Sequence, residues 1–255
     1  MKNHYGFLYA LSVLALASLM CGVPSTTKAP AKASSATDTP QAAQPVPLAP
    51  QAVTAVATVT YYPIIEKPWN RIPTVVIAST KDDPRIPLVG KAADFWNGEF
   101  KTLGSPFHLG SIVQTQTQIP DADLLAISDP TSPGKLSAAA AALMQKMPGD
   151  LVIDLSDANF VSVTHGAGDK KLIAIQAHPG GKDSEVINMN VIAHEIGHSI
   201  GLGHNNDPAT LMCGRPATCR PGGDQFVGIQ GFAPLTEVEK AYLLKLYPPD
   251  WKPAQ

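Results

Sequence analysis

The chain has 255 residues, of which 44% are hydrophobic and 16% are charged, and its formal net charge is −2. No run of basic residues stands out, so the composition gives no support for nucleic-acid binding. After the first residues, no apolar segment is long enough to span a bilayer. A chain of this length and composition can form one globular domain with a well-buried core.

The N-terminal residues predict an export signal. Lys2 supplies a short positive region, and Gly6 to Met20 is an apolar run that is too short for a typical transmembrane helix. Ala15-Leu16-Ala17 offers a cleavage site of small residues after Ala17. We therefore expect residues 1–22 to be a signal peptide. The protein would be extracellular, periplasmic or anchored to a membrane by lipid.

Cys21 at the end of the apolar run allows a second interpretation. A cysteine in this place is where bacterial lipoproteins are cut and acylated, and the acyl chain would anchor the protein to a membrane. Such signals usually have Leu three positions earlier and a small residue just before the cysteine. This chain has Ser18 and Met20 there. An ordinary cleaved signal and a lipid anchor at Cys21 both remain open.

The next segment has the composition of a linker. Residues 23–60 are rich in Ala, Pro, Thr, Ser and Gln and poor in aromatic residues. Such a segment cannot bury enough apolar surface to fold, and its prolines keep it extended. We predict a disordered linker over 23–60 and a single folded domain over 61–255.

Strands and helices are mixed along the predicted domain. Runs rich in β-branched residues, or with alternating apolar residues, predict strands at 74–78, 108–118, 123–127, 151–155, 160–164 and 171–175. The segment 165–169 is predicted as the turn between the last two strands. Helical periodicity predicts helices at 88–100, at 136–147, from about 184 and from 236. This order indicates an α/β (α+β) domain of two or three layers.

The last helix has a clear start signal. Thr236 is followed three residues later by Glu239, which is the spacing of a capping box. Its predicted apolar stripe consists of Val238, Tyr242, Leu243 and Leu246. We expect this helix to close the domain by packing against the core.

The segment from His194 to His204 contains three histidines and a glutamate. On a helix, positions four apart share a face, so His194 and His198 can bind one metal ion together. Glu195 lies within reach of a water on that ion. Gly201 can adopt the left-handed conformation that ends a helix, so the chain can turn back and present His204. Three protein ligands with one open position are typical of a catalytic zinc site.

The same helix also has an apolar face. Its members recur at helical spacing, at Met189, Ile192, Ile196 and Ile200. We therefore predict that one face anchors the helix in the core while the other presents the metal ligands.

The pattern continues beyond the third histidine. Asn205-Asn206-Asp207-Pro208 follows directly, and Leu211-Met212 places a methionine eight residues after His204. With these residues, the segment from His194 to Met212 resembles the metzincin clan of zinc endopeptidases, whose signature is the long zinc motif followed by a Met-turn. Within the clan, the segment is most similar to the matrixins.

The resemblance implies a metzincin-like domain, with a twisted mixed sheet, an active-site helix and a C-terminal helix. It implies one catalytic Zn²⁺ on His194, His198 and His204. Glu195 would take a proton from the zinc-activated water and pass it to the leaving amine. Met212 would support the ligands from below.

Proteins or peptides, cut internally, are the substrates that the resemblance implies. An extended substrate would pair with an edge strand beside the cleft, and either 151–155 or 160–164 could be that strand. No calcium site is recognisable in the sequence, and we expect a monomer.

The residues that follow Met212 have two notable features. Matrixins usually have Pro two residues after the methionine, where this chain has Gly214, so the wall of the specificity pocket cannot be transferred. Cys213 and Cys219 are close in sequence, and in an exported protein such a pair predicts a disulfide. The disulfide would brace the segment that follows Met212.

Two other functions also use a zinc ion. One is hydrolysis of a non-peptide amide or of cell-wall peptide, and the sequence leaves this alternative open. The other is a catalytically silent zinc-binding module. The intact Glu195 argues against the module, because a protein that only binds zinc has no need of a general base.

Overall fold

A computed structural model of the chain describes residues 59–63, 67–129, 131, 134–176, 184–219 and 226–254. The predicted signal peptide, Cys21 and the linker up to residue 58 lie outside these ranges, so the expectations about them stay predictions. No helix within the described ranges is long and apolar enough to cross a membrane.

Strands and helices alternate along most of the described chain. The strands are β1 (Tyr61–Tyr62), β2 (Val75–Ala78), β3 (Ile112–Thr115), β4 (Leu151–Leu155), β5 (Val163–Ala167), β6 (Lys170–Ile175) and β7 (His204–Asn205). The helices are α1 (Ile86–Thr102), α2 (Asp121–Ser128), α3 (Ala138–Lys146), α4 (Ser184–Ser199) and α5 (Glu237–Leu246).

Five strands form the main sheet, in the order β3-β2-β4-β6-β5. The first four run parallel, and β5 runs antiparallel to β6. Every residue of β2 and β4 is buried, as expected for parallel strands covered on both faces. β4 pairs with a strand on each side. The alternative that 151–155 is the substrate-binding edge strand is therefore wrong. β5 is an edge strand.

The two faces of the sheet carry separate hydrophobic cores. Val75 and Ile77 point into a large core with α1, α4 and α5, whereas Val76 and Ala78 point into a smaller core with α2 and α3. Because neighbouring strand residues face opposite sides, one apolar run fills both cores. The domain is therefore a three-layer α/β fold, and the predicted mixed sheet is confirmed.

Helix α1 directly supports α4, the helix that carries His194 and His198. Trp96 of α1 is fully buried, and its indole Nε1 donates a hydrogen bond of 2.9 Å to the Ala193 carbonyl of α4. Ile192 and Ile196 of α4 lie in the same core and are completely buried. The predicted apolar face of this helix is therefore anchored between α1 and the sheet.

The segment 123–127 was wrongly predicted as a strand, since it lies within helix α2. Pro120 precedes the helix, and Asp121 and Asp123 fall in its first turn, where carboxylates stabilise the positive end of a helix. Leu and Ala in the run are also good helix formers. A short apolar run alone does not separate a strand from a buried helix.

Two predicted strands have different limits in the structure. β3 covers only Ile112–Thr115 of the predicted 108–118. β5 covers Val163–Ala167 instead of 160–164, so His165 lies in the strand and not in the turn. The turn to β6 is the two-residue Gly168-Asp169, with Gly168 at φ 66°. Glycine at the first central position suits such a tight hairpin.

The capping box of α5 is confirmed. The Thr236 side chain accepts from the Glu239 amide, and the Glu239 carboxylate accepts from the Thr236 amide. The predicted apolar stripe needs one correction, because Val238 is 44% exposed and Glu239 is fully buried. Glu239 turns inward because its carboxylate also accepts a hydrogen bond from Asn205, the residue after His204.

A buried carboxyl in β4 predicts a pH dependence of stability. Asp154 has no solvent exposure, and burial raises its pKa to about 7, although its hydrogen bond from the Ile119 amide acts in the opposite direction. The folded protein therefore holds this proton more tightly than the unfolded chain. Through this carboxyl alone, the free energy of unfolding should fall by about 4 kcal/mol as the pH rises from about 4 to about 7.

Chemical denaturation of the wild type and of Asp154→Asn, at pH values across this window, measures the contribution. The variant should lose most of this decrease, while the exposed Asp94→Asn on α1 should retain it. An unchanged pH dependence in Asp154→Asn would show that the carboxyl does not cause it.

Candidate metal centre

Three imidazole rings converge at the end of α4. His194 and His198 lie one turn apart on this helix, and His204 lies on β7. The Nε2 atom of His204 is 3.3 Å from that of His194 and 3.0 Å from that of His198. Three ligands at the usual zinc–nitrogen distance and tetrahedral angle lie about 3.3 Å apart, so the arrangement fits one zinc ion. Among the described residues, no other set of three His, Cys, Asp or Glu side chains clusters in this way.

Each ring is oriented by its other nitrogen. The Nδ1 atoms of His194, His198 and His204 lie 2.8, 2.8 and 2.9 Å from the carbonyl oxygens of Leu211, Leu202 and Arg215, in that order. A carbonyl only accepts hydrogen bonds, so each Nδ1 must carry the proton. Each Nε2 then keeps its lone pair for a metal ion.

The third histidine is held in its neutral form. The pKa of His204 is lowered to about 4, mainly by burial and also by the nearby His198. Burial has this effect because it disfavours the charged imidazolium. A metal ligand must be deprotonated, so the environment prepares His204 for binding at neutral pH.

The end of α4 returns the chain toward its own ligands. Gly201 has φ 105°, and its amide donates to the His198 carbonyl at 3.0 Å. The Leu202 amide donates to the Gly197 carbonyl at 2.9 Å. These two bonds form a Schellman motif, which requires the left-handed residue that Gly201 provides. The motif reverses the chain within a few residues of His198.

Two glycines make room for close packing around the triad. A Cβ atom on Gly197 would lie 2.5 Å from the sulfur of Met212, so the buried methionine packs directly against the active-site helix. A Cβ atom on Gly214 would overlap the His204 ring. A proline here would place its Cβ in the same space. The space beside the His204 ring therefore suits glycine at this position.

Gly214→Ala should therefore weaken zinc binding. The added methyl group cannot fit beside His204 without displacing the ring or the backbone. We expect zinc affinity to fall by about 10- to 100-fold, as for other changes that misorient a metal ligand. Competition with a chelator measures this affinity. Gly98→Ala is the control, because a Cβ there meets nothing within 4 Å. Equal affinity in both variants would contradict the packing argument.

Disulfide Cys213–Cys219 closes the segment after Met212, with a Cα–Cα distance of 5.6 Å. The segment includes Arg215, whose carbonyl orients His204. The covalent link thus braces one of the three acceptors of the triad.

Glu195 lies between the two ligands of α4 and is only 6% exposed. Burial raises its pKa to about 7, and a hydrogen bond from Thr164 partly offsets this effect. The hydroxyl of Thr164 lies 2.8 Å from the carboxylate Oε2. A carboxylate with a pKa near neutrality can both accept and return a proton in that range.

The loop after the triad depends on residues that the sequence did not single out. Asn205 donates to Glu239 at 2.6 Å, linking β7 to helix α5. The Tyr61 hydroxyl accepts from the Gly203 amide at 2.8 Å, and β1 pairs with β7. These partners are 34 and 142 residues apart in sequence, so no local pattern reveals them.

The matrixin family model matches residues 92–220, just over half of the chain. No curated protein sequence matches significantly. Archaemetzincin from Methanopyrus kandleri is similar over 69% of this chain and 96% of its own, at 16% identity and a TM-score of 0.42. Two myroilysin structures cover 72% of this chain and 86% and 83% of their own, at 9% and 8% identity and TM-scores of 0.36 and 0.39.

The region that the family model matches contains the histidine triad, Glu195 and Met212. The family assignment follows from this match. The chain belongs to the matrixin family of zinc metalloendopeptidases, within the metzincin clan.

Proposed function

We propose that the chain is an exported endopeptidase that cuts internal peptide bonds in extended protein segments. The observation that carries this proposal is the convergence of three Nε2 atoms within 4.8 Å, next to a buried carboxylate. In this proposal, Zn²⁺ is held by His194, His198 and His204, and Glu195 is the general base.

The residues present fit the metal. Three neutral imidazoles with protonated Nδ1 atoms are suitable zinc ligands, and each is held by a backbone carbonyl. Bound zinc supplies a Lewis acid, which polarises a peptide carbonyl and makes water more acidic. Met212, packed against Gly197 under the triad, would keep the active-site helix and the following loop in register.

Glu195 performs the proton transfers. Its carboxylate takes a proton from the attacking water as the new bond forms to the carbonyl carbon of the substrate. It then gives this proton to the nitrogen of the leaving amine as the C–N bond breaks. A pKa of about 7 favours both steps near neutral pH.

Strand β5 is the surface on which we place the substrate. β5 pairs with β6 on one side, and no described strand pairs with its other edge. Thr164 of this strand lies within hydrogen-bond distance of Glu195. An extended peptide could add to the free edge through its backbone, beside the triad. Such binding favours cleavage inside a chain.

Export is supported by two features of the chain. The N-terminal apolar run predicts a signal, either cleaved or lipid-modified at Cys21. The disulfide Cys213–Cys219 is of a kind that persists in oxidising compartments. We therefore place the protein outside the cytoplasm, in the extracellular space, in the periplasm or at a membrane surface.

Zinc-dependent cleavage of a peptide library tests the enzymatic part of the proposal. The purified protein should cut peptides internally, lose this activity with a chelator and regain it with added zinc; mass spectrometry identifies the cut bonds. Activity that survives complete zinc removal would contradict the proposal. Cleavage of cell-wall peptides or non-peptide amides alone would favour the alternative hydrolase, and zinc binding without turnover would favour a binding module.

A further inference from the structure

We propose that Thr164 positions the carboxylate of Glu195, so that the substrate-binding edge strand also sets the orientation of the general base. This inference rests on the proposed function. Thr164 is a positioning residue in this scheme, because its hydroxyl contacts Glu195 and not the reacting atoms.

The Thr164 hydroxyl lies between two oxygens of the same residue. Its Oγ1 is 2.8 Å from the backbone carbonyl oxygen of Glu195 and 2.8 Å from the side-chain Oε2. Both distances are normal for a hydroxyl donating to an oxygen. The hydroxyl has a single proton, so it is shared between these two acceptors in a three-centre hydrogen bond. One side chain therefore connects β5 to both the backbone and the side chain of Glu195.

The register of β5 directs this hydroxyl toward α4. Thr164 pairs with Ile173 of β6, and Ile173 lies in the core that contains Ile192 and Ile196 of α4. Paired residues share a face, so Thr164 points toward the active-site helix. The next residue on that face is Gly166, which has no side chain. Val163 and Ala167 pack against the opposite core. Thr164 is thus the β5 side chain available to reach Glu195.

The contact leaves one carboxylate oxygen for chemistry. Oε2 accepts from Thr164, whereas Oε1 has no hydrogen-bond partner among the described residues. Threonine is β-branched and has few side-chain rotamers, so its hydroxyl is a well-defined anchor. Holding Oε2 fixes the rotation of the carboxylate, and Oε1 is the oxygen that would face the attacking water.

The position on an edge strand adds a functional consequence. A peptide that pairs with β5 would fix the strand that holds the base. Correctly docked substrate would therefore favour the productive orientation of Glu195. A loosely bound peptide would not favour this orientation. The contact therefore raises turnover selectively for substrates that pair with β5.

Three variants separate positioning from a structural role. Thr164→Val keeps the shape and removes the hydroxyl, and it should lower kcat about tenfold with KM changed less than about twofold. Thr164→Ser retains the hydroxyl and should recover most of the lost kcat. Thr102→Val is the matched control, because it also removes a hydroxyl that donates to a helical carbonyl, that of Gly98, but on α1. Zinc content and the unfolding midpoint are measured for all of them.

A readout independent of activity accompanies the kinetics. Crystal structures of the wild type, Thr164→Val and Thr164→Ser should show the Glu195 carboxylate rotated or in several orientations only in Thr164→Val. The proposal is overturned if Thr164→Val keeps its kcat, if Thr164→Ser is as slow as Thr164→Val, or if Glu195 keeps its orientation without the hydroxyl. A loss explained entirely by lower zinc content or unfolding would also overturn it.

The two proposals fail in different ways. If the wild type cuts no peptide, the proposed proteolysis fails. The crystal structures would still decide whether the Thr164 hydroxyl orients Glu195. If the wild type cuts peptides and Thr164→Val does so equally well, only the positioning role is lost.

Discussion

Replacing Glu195 with Gln should leave zinc bound and lower kcat/KM by about 10³-fold, the range expected when a general base is removed. The amide has nearly the same shape as the carboxylate, so the three histidines should keep their positions. It cannot take a proton from water, and the attack on the carbonyl would lose its base. Metal analysis of the purified variant, combined with peptide cleavage kinetics, measures both parts of the prediction.

Glu185→Gln is the control for this experiment. Glu185 lies in the first turn of the same helix, is exposed, and pairs with Lys91 at 2.6 Å. Loss of this surface ion pair should change stability by less than about 1 kcal/mol and leave cleavage intact. Comparable turnover by Glu195→Gln and the wild type would mean that another group is the base.

His204→Ala should weaken zinc binding by more than about 100-fold, because it removes one of three ligands and costs more than misorienting one. The two remaining histidines on α4 form an incomplete site. Activity should be lost at zinc concentrations that saturate the wild type. Titration of the metal-free protein with zinc, in competition with a chelator, gives the affinity.

His108→Ala is the matched control for the third ligand. His108 is exposed, and its ring nitrogen contacts the Pro106 carbonyl outside the triad. Its removal should not change zinc affinity. Wild-type affinity in His204→Ala would remove His204 from the ligand set and leave the proposed mechanism without its metal.

The features that sequence predicted well are those with local signals. The histidine spacing and Gly201 lie within one helix and its termination, where residue spacing determines geometry. The capping box at Thr236 is likewise determined by neighbours three residues apart. The central strands β4 and β6 are recognisable from the sequence because strands buried on both faces are nearly continuously apolar, apart from Asp154 and the lysines that begin β6.

The features that sequence did not predict depend on tertiary contacts. The run at 123–127 is compatible with a strand or a helix. In the structure it is a helix that packs into the smaller core. The inward turn of Glu239 depends on Asn205, and the role of Gly214 depends on the His204 ring. Thr164 reaches Glu195 only because β5 pairs in one particular register. None of these partners is visible from residue spacing.

The pairing of β1 with β7 sets a minimum length for any processed form of this enzyme. Thr60 and Asn206 exchange two hydrogen bonds, of 2.7 and 3.2 Å, next to the ladder that holds His204. Trimming that stops before residue 59 would shorten the chain without touching this ladder. Trimming past Tyr62 would remove the partner strand of a zinc ligand. If the chain is processed, a cut beyond Tyr62 would thus remove the strand that pairs with His204.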